Sequence, residues 1–155
     1  MSGSGTSATD AAAAAAIAGL RARVLGFVES QRLDAPGPGR YRYSASVRRP
    51  TLYSSTYAAM ARALLGDLAS LSSGDREAWA AYLASHQDED GLYRDPVIHD
   101  QGWYRGDPLW FGRPHLSCPV LTALACLRAT GRRELGLPQA AQIAAQQHHE
   151  RLDGS

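Results

Sequence analysis

The sequence predicts an all-α chain of antiparallel helix-hairpin repeats, on three observations. Strand-like alternation is weak throughout, whereas apolar residues recur at helical spacing in several long stretches. Two of those stretches end in similar Gln/Gly turns, at Gln31 and at Gln87. Two others are rich in Ala and small residues, as helices packed on several sides are.

Taken in order, Met1 to Ala8 is a Ser/Gly/Thr-rich tail, expected to be disordered. The first helix follows from Thr9 or Asp10, either of which can cap it, to Gln31, with Ile17, Leu20, Val24, Phe27 and Val28 as its apolar face. Asp34-Ala35-Pro36-Gly37-Pro38-Gly39 ends it, and a loop rich in Tyr and Arg runs from Arg40 to Arg49. The second helix covers Ser54 to Leu65, with Tyr53, Tyr57, Met60 and Leu64 in register. Ser72 or Ser73 caps the third, and Asp75 and Glu77 in its first turn complement the helix dipole. That helix puts Trp79, Tyr82, Leu83 and His86 on one face, and Asp88-Glu89-Asp90-Gly91 turns the chain so that Tyr93 can fold back. Gln87 is placed to bond the backbone groups its last turn leaves unpaired. A fourth helix is expected from Pro119, a residue suited to a first helical position, to Thr130, and a fifth from Pro138 to Leu152.

The stretch from Tyr82 to Tyr93 spells aromatic, aliphatic, three residues, Gln, three residues, Gly, one residue, aromatic. It resembles the Gln-Trp repeat of squalene and hopene cyclases and protein prenyltransferase β subunits, with Tyr93 where that family usually has Trp. Phe27-Val28-Glu29-Ser30-Gln31 with Gly39-Arg40-Tyr41 is a looser copy, and Gln147 with Asp153-Gly154-Ser155 looks like a third without its aromatic. Arg49-Pro50-Thr51-Leu52 recurs as Arg113-Pro114-His115-Leu116, at an offset of 64 against 55 for Phe27 and Tyr82, so the second copy gains about nine residues within Ile98 to Phe111. The resemblance implies part of an (α/α) toroid, incomplete in this chain: repeat 1 over 9–66, repeat 2 over 72–131 and the start of repeat 3 over 137–155. Either a longer protein or association with a partner would complete it.

With 155 residues, 45% hydrophobic and 20% charged, the chain can bury a core of its own. A net charge of +1 argues against a dedicated nucleic-acid binder. All basic residues are Arg, and Lys and Asn are absent, which hints at a GC-rich bacterial genome. Cys118 and Cys126 are eight apart on one expected helix, about 12 Å, too far to pair. No hydrophobic run is expected to reach the roughly 20 residues of a membrane span, and the N-terminus lacks the basic residues of a secretory signal. A reduced, cytoplasmic protein is the expectation.

Chemistry is expected where loops lead into the Ala-rich helices. The segment from His99 to His115 carries four aromatics, two His, two Arg and two Asp in seventeen residues. His99, Trp103, Arg105, Asp107 and Trp110 are candidate ligand-binding residues there, with Tyr41 and Tyr43 from the earlier loop, since aromatic faces stack on sugar rings or stabilise carbocations and Arg grips carboxylate or phosphate. His115, Tyr104 and Arg113 are the candidate catalytic set: base, acid and neutraliser of a uronate carboxylate. A capping role for the same loop is the structural alternative. The Asp-x-Asp-Asp acid motif of squalene-type cyclases is absent, because Asp88-Glu89-Asp90 belongs to the turn. No metal site is assigned: His115 and Cys118 lack the prenyltransferase pattern, and the adjacent His148 and His149 point apart on a helix. No cofactor motif is present either. Three functions stay open: a terpenoid cyclase or prenyltransferase-like toroid binding an elongated ligand, a uronate lyase or hydrolase, and a non-catalytic binding or assembly domain. A small-molecule or oligosaccharide ligand and self-association are the expected partners.

Overall fold

The structure, a computed structural model, describes residues 8–100 and 112–128. Among these the chain is all-α as expected, with two isolated bridge pairs and no strand. Five α-helices follow one another: α1 Ala8–Ser30, α2 Leu52–Leu64, α3 Ser73–Ala84, the short α4 Pro96–Asp100, and α5 Arg113–Arg128, with a 3-10 turn over Leu68–Ser70.

Local chemistry sets most of the boundaries. Ser72 is the cap of α3, its hydroxyl accepting from the Asp75 N–H at 3.0 Å. Thr51 does the same for α2 through Ser54, so that helix starts two residues before the expected Ser54. The helix expected from Pro119 instead begins at Arg113, with Pro119 inside it. A mid-helix proline leaves the His115 carbonyl without its helical donor and costs roughly 3 kcal/mol, which the packing of α5 offsets: Leu116, Val120, Ala123, Leu124 and Leu127 are all buried. Residues 138–152, where a fifth long helix was expected, lie outside the described residues, as does the loop over 101–111.

The core lies between α2, α3 and α5. α2 packs most extensively on α5, α3 rests on α5 and to a lesser extent on α2, and α1 touches α2. Trp79 and Leu83 of α3, Leu52 and Ala59 of α2, and Leu116 and Val120 of α5 meet in it. Tyr41 and Tyr93, one from each Gln/Gly turn, close it. Their turns are built alike: Arg32 bridges Tyr41 and Gln87 bridges Tyr93, while the two tyrosine N–H groups donate to Ser55 Oγ at 3.3 Å and Ser117 Oγ at 3.0 Å. Gly39 and Gly91 take the left-handed conformation, φ +82° and +84°, in the two turns. At Gly39 a Cβ would lie 2.1 Å from Trp79 Cδ1, so the indole packs directly on this backbone.

Three further sequence expectations change. Gln87 donates its amide across the turn to the Gly91 carbonyl at 2.9 Å rather than to the helix end. The Arg-Pro pairs are not in equivalent places, because Arg49 and Pro50 precede α2 whereas Arg113 and Pro114 open α5. The matching serine bonds put Ser117 opposite Ser55, so His115 corresponds to Tyr53 and not to Thr51. Finally, the apolar face expected for α1 does not face the core. No residue of α1 is buried, and Ile17, Leu20 and Phe27 are more than half exposed. Only Val28 packs against the core cluster. By length and mean hydropathy α1 also meets the requirement for a membrane span, which the sequence reading did not foresee. Arg21 and Arg23 near its middle would each cost about 2.5–3.5 kcal/mol at a bilayer centre.

Candidate functional site

The N-terminal ends of α2 and α5 are adjacent, and this adjacency makes the candidate site. Tyr53, in the first turn of α2, lies with its hydroxyl 3.0 Å from Nδ1 of His115, in the first turn of α5. Their rings are tilted at 34° with centroids 6.1 Å apart, and Tyr57, one helical turn on, stacks beside Tyr53. Tyr53 is buried, while Tyr57 and His115 are exposed. Leu64, two turns beyond Tyr57 on the same side of α2, is the most exposed large apolar residue described, at 87%. Cys118 and Thr122 are exposed on α5 one and two turns after His115.

A buried carboxylate holds this end of the helix pair. Asp95, fully buried, accepts from Leu52 N at 2.6 Å and Tyr53 N at 3.4 Å through Oδ2, and from Val97 N at 2.9 Å and Ile98 N at 3.3 Å through Oδ1. One side chain thus caps both α2 and α4, and together with Thr51 it satisfies the first three free donors of α2. His99 folds onto the same residue, its Nδ1 3.1 Å from the Asp95 nitrogen and 3.0 Å from its carbonyl oxygen. That placement makes His99 part of the α4 turn.

Arg113 is engaged elsewhere. Its Nη1 lies 2.8 Å from Asp88 Oδ2 and 2.8 Å from Asp90 Oδ2, and Arg94 Nε is 3.0 Å from the same Asp88 oxygen. Partial burial alone would raise the Asp88 pKa, but the hydrogen bonds and charges of Arg94 and Arg113 outweigh it and hold the carboxyl below its usual range. The acidic turn therefore anchors the start of α5. Tyr41 is also internal: it is stacked on Trp79 at 5.2 Å, and its hydroxyl accepts from Arg62 Nη1 at 3.2 Å. Burial pushes its phenol pKa up, with the Arg62 charge opposing. Tyr43 is exposed. Arg40 lies over the Tyr82 ring, 3.9 Å from its centroid, and Arg42 donates to the Ser30 carbonyl, so two of the four arginines in the 40–49 loop are bound to the protein itself.

Of the candidate catalytic set, the structure places His115 on the exposed face, puts Arg113 in an ion-pair cluster, and does not describe Tyr104. Trp103, Arg105, Asp107 and Trp110 likewise lie outside the described residues. Tyr53 is the functional candidate that sequence reasoning missed, and aligning the two turns by their serines rather than by Arg-Pro would have found it. Cys118 and Cys126 are free thiols, and no cluster of three or more potential metal ligands occurs among the described residues.

A cleft of about 730 Å³ lies between α1, the 32–39 segment and α3. Most of its charges satisfy one another: Arg62 pairs with Asp67 at 2.7 Å and with Glu29 at 3.6 Å, Arg32 pairs with Glu29, and Asp75 accepts from the Ser72 hydroxyl. The Trp79 N–H beside it has no hydrogen-bond partner among the described residues, but it is sealed beneath Gly39. Little is left there to recognise a ligand, so the α2–α5 face is the stronger candidate.

No family model matches the chain, and no curated protein or solved structure shows significant similarity to it.

Proposed function

We propose that the exposed face shared by α2 and α5 binds an elongated, largely apolar ligand with a polar head, in the manner of a terpenoid cyclase or prenyltransferase-like toroid. The Tyr53–His115 hydrogen bond carries this reading, because it joins the polar ends of the two helices at one edge of an exposed aromatic and aliphatic stripe. From Tyr57 to Leu64 the exposed stripe runs about 10 Å at 1.5 Å per residue. Tyrosine rings accept apolar chains on their faces, and the phenol–imidazole pair offers a donor and an acceptor to the head. The two similarly built turns behind α2 and α5 support an α/α-repeat arrangement in which such a face borders a central cavity.

One observation favours a second reading, a uronate lyase or hydrolase: a hydrogen-bonded tyrosine and histidine are an acid–base pair, with Tyr53 in the role expected of Tyr104. Against it, the Arg113 charge that would neutralise the uronate is already held by two carboxylates.

Equilibrium binding of a fluorescent farnesyl or geranylgeranyl alcohol analogue tests the proposal, with uronate oligosaccharides assayed in parallel for unsaturated products. Saturable binding weakened by Leu64→Glu and Tyr57→Ser, with His115→Ala reducing affinity for the alcohol over the bare hydrocarbon, is the expected result. Unsaturated uronate products lost in Tyr53→Phe would move the lyase reading first. Neither binding nor turnover would leave the binding or assembly domain.

A further inference from the structure

The face of α1 left uncovered by its own domain has a pattern of its own. Ala13, Ile17, Leu20, Val24 and Phe27 follow one another in alternating steps of four and three, a heptad seam with β-branched Ile17 and Val24 at one core position and Leu20 and Phe27 at the other. This seam is distinct from the face that α1 turns to α2. There, Arg21 Nε donates to the Leu65 carbonyl at 2.7 Å and Val28 packs on the core, and at 100° per residue the two faces are about 70° apart. A helix needing only to cover its own domain has no use for the second one.

We infer that α1 is a self-association helix, whose seam pairs with the α1 of a second copy as a parallel two-stranded coiled coil. β-branched residues at one core position with Leu at the other favour two parallel strands. Charge favours the same orientation. In a parallel pair the flanking contacts are Ala16 with the partner's Arg21 and Arg23 with the partner's Val28, so no like charges meet. An antiparallel pair centred on the seam brings Arg21 towards the partner's Arg21. A bilayer is the poorer occupant, since Arg21 and Arg23 fall inside its apolar window. The inference is independent of the α2–α5 ligand face.

Sedimentation equilibrium on the full chain, with the dichroism at 222 nm followed in parallel, tests it. The wild type should pass from monomer to dimer as concentration rises. Leu20→Glu should weaken association by about tenfold or more, the loss expected when one buried leucine is removed from an interface, and Leu20→Met should retain it. A photo-crosslinking amino acid at Phe27, in a mixture of isotopically light and heavy chains, should capture residues 24–31 of the other copy. A monomer at all concentrations, or association indifferent to Leu20→Glu, would overturn the inference. So would crosslinks from position 27 to residues 13–20, which mark antiparallel pairing, or a monomer in water that binds neutral lipid vesicles through α1. Loss of the helical signal in Leu20→Glu would do the same, because it would mean that Leu20 belongs to the domain's own core.

Discussion

α1 and α3 look alike in sequence and differ in the fold. Both carry apolar residues at helical spacing, both run into a Gln/Gly turn, and both turns return a buried tyrosine to the core. Yet α3 buries Trp79, Ala80 and Leu83, and α1 buries nothing. The difference is one of neighbours among the described residues, since α3 rests on both α2 and α5 while α1 packs mainly against α2. An amphipathic stripe records that a helix has something to cover; which element does the covering is set by the rest of the assembly.

Substitutions on the two sides of this comparison should differ sharply. The largest effect is expected at the Gly39–Trp79 contact: Gly39→Ala combines a disfavoured positive φ with a Cβ inside the indole, and should cost about 2–4 kcal/mol in chemical denaturation. Asp95→Ala comes next. It strips four backbone N–H groups of one buried acceptor, and a loss of about 3 kcal/mol is expected from caps worth roughly 1 kcal/mol each and donors left dry. Asp95→Asn should be nearly as damaging, because the amide turns an N–H₂ towards some of those donors. If either variant melted like the wild type, the buried junction of α2 and α4 would not be holding the fold together. On the other side of the comparison, Ile17→Ser should change the stability of the monomer by less than about 0.5 kcal/mol, as at other exposed positions.

The smallest effect is one of pH. The folded-state pKa of Asp88 is depressed, so its contribution is fully present above the unfolded value of about 3.9 and fades as the pH falls through the lower folded value. The pair is partly solvated, so the effect should be modest. Arg113→Gln should flatten this acid limb by lowering the melting temperature modestly near pH 7 while leaving it unchanged once Asp88 is protonated. An acid limb identical in the two proteins would remove Arg113 from the explanation.

How much of this was readable from residues follows from how local each cause is. Ser72 as a cap and the Gly-bearing turns rest on residues within a few positions of one another, and they appear where expected. The start of α5 was misread because Pro119 is a good first residue for a helix, and nothing local reveals that the buried Leu116 and Ser117 carry the helix past it. Asp95 was invisible for a related reason: two of its donors are 42 and 43 residues away. At the candidate site His115 was legible as a histidine where the repeat pattern did not demand one. Its partner Tyr53 was hidden by a register drawn from Arg-Pro, and Arg113 was misjudged because the acidic turn that holds it was read only as a turn.

The contrast between the two outer helices is tested most directly by native-state hydrogen exchange on the Leu20→Glu chain, at a concentration where it sediments as a monomer. Amides of α2, α3 and α5 should exchange only through a common large opening, while those of α1 before Phe27 exchange through a smaller one of their own. Protection of α1 equal to that of α3 in this monomer would contradict the contrast, because it would show α1 to be as much a part of the core as the helix it resembles.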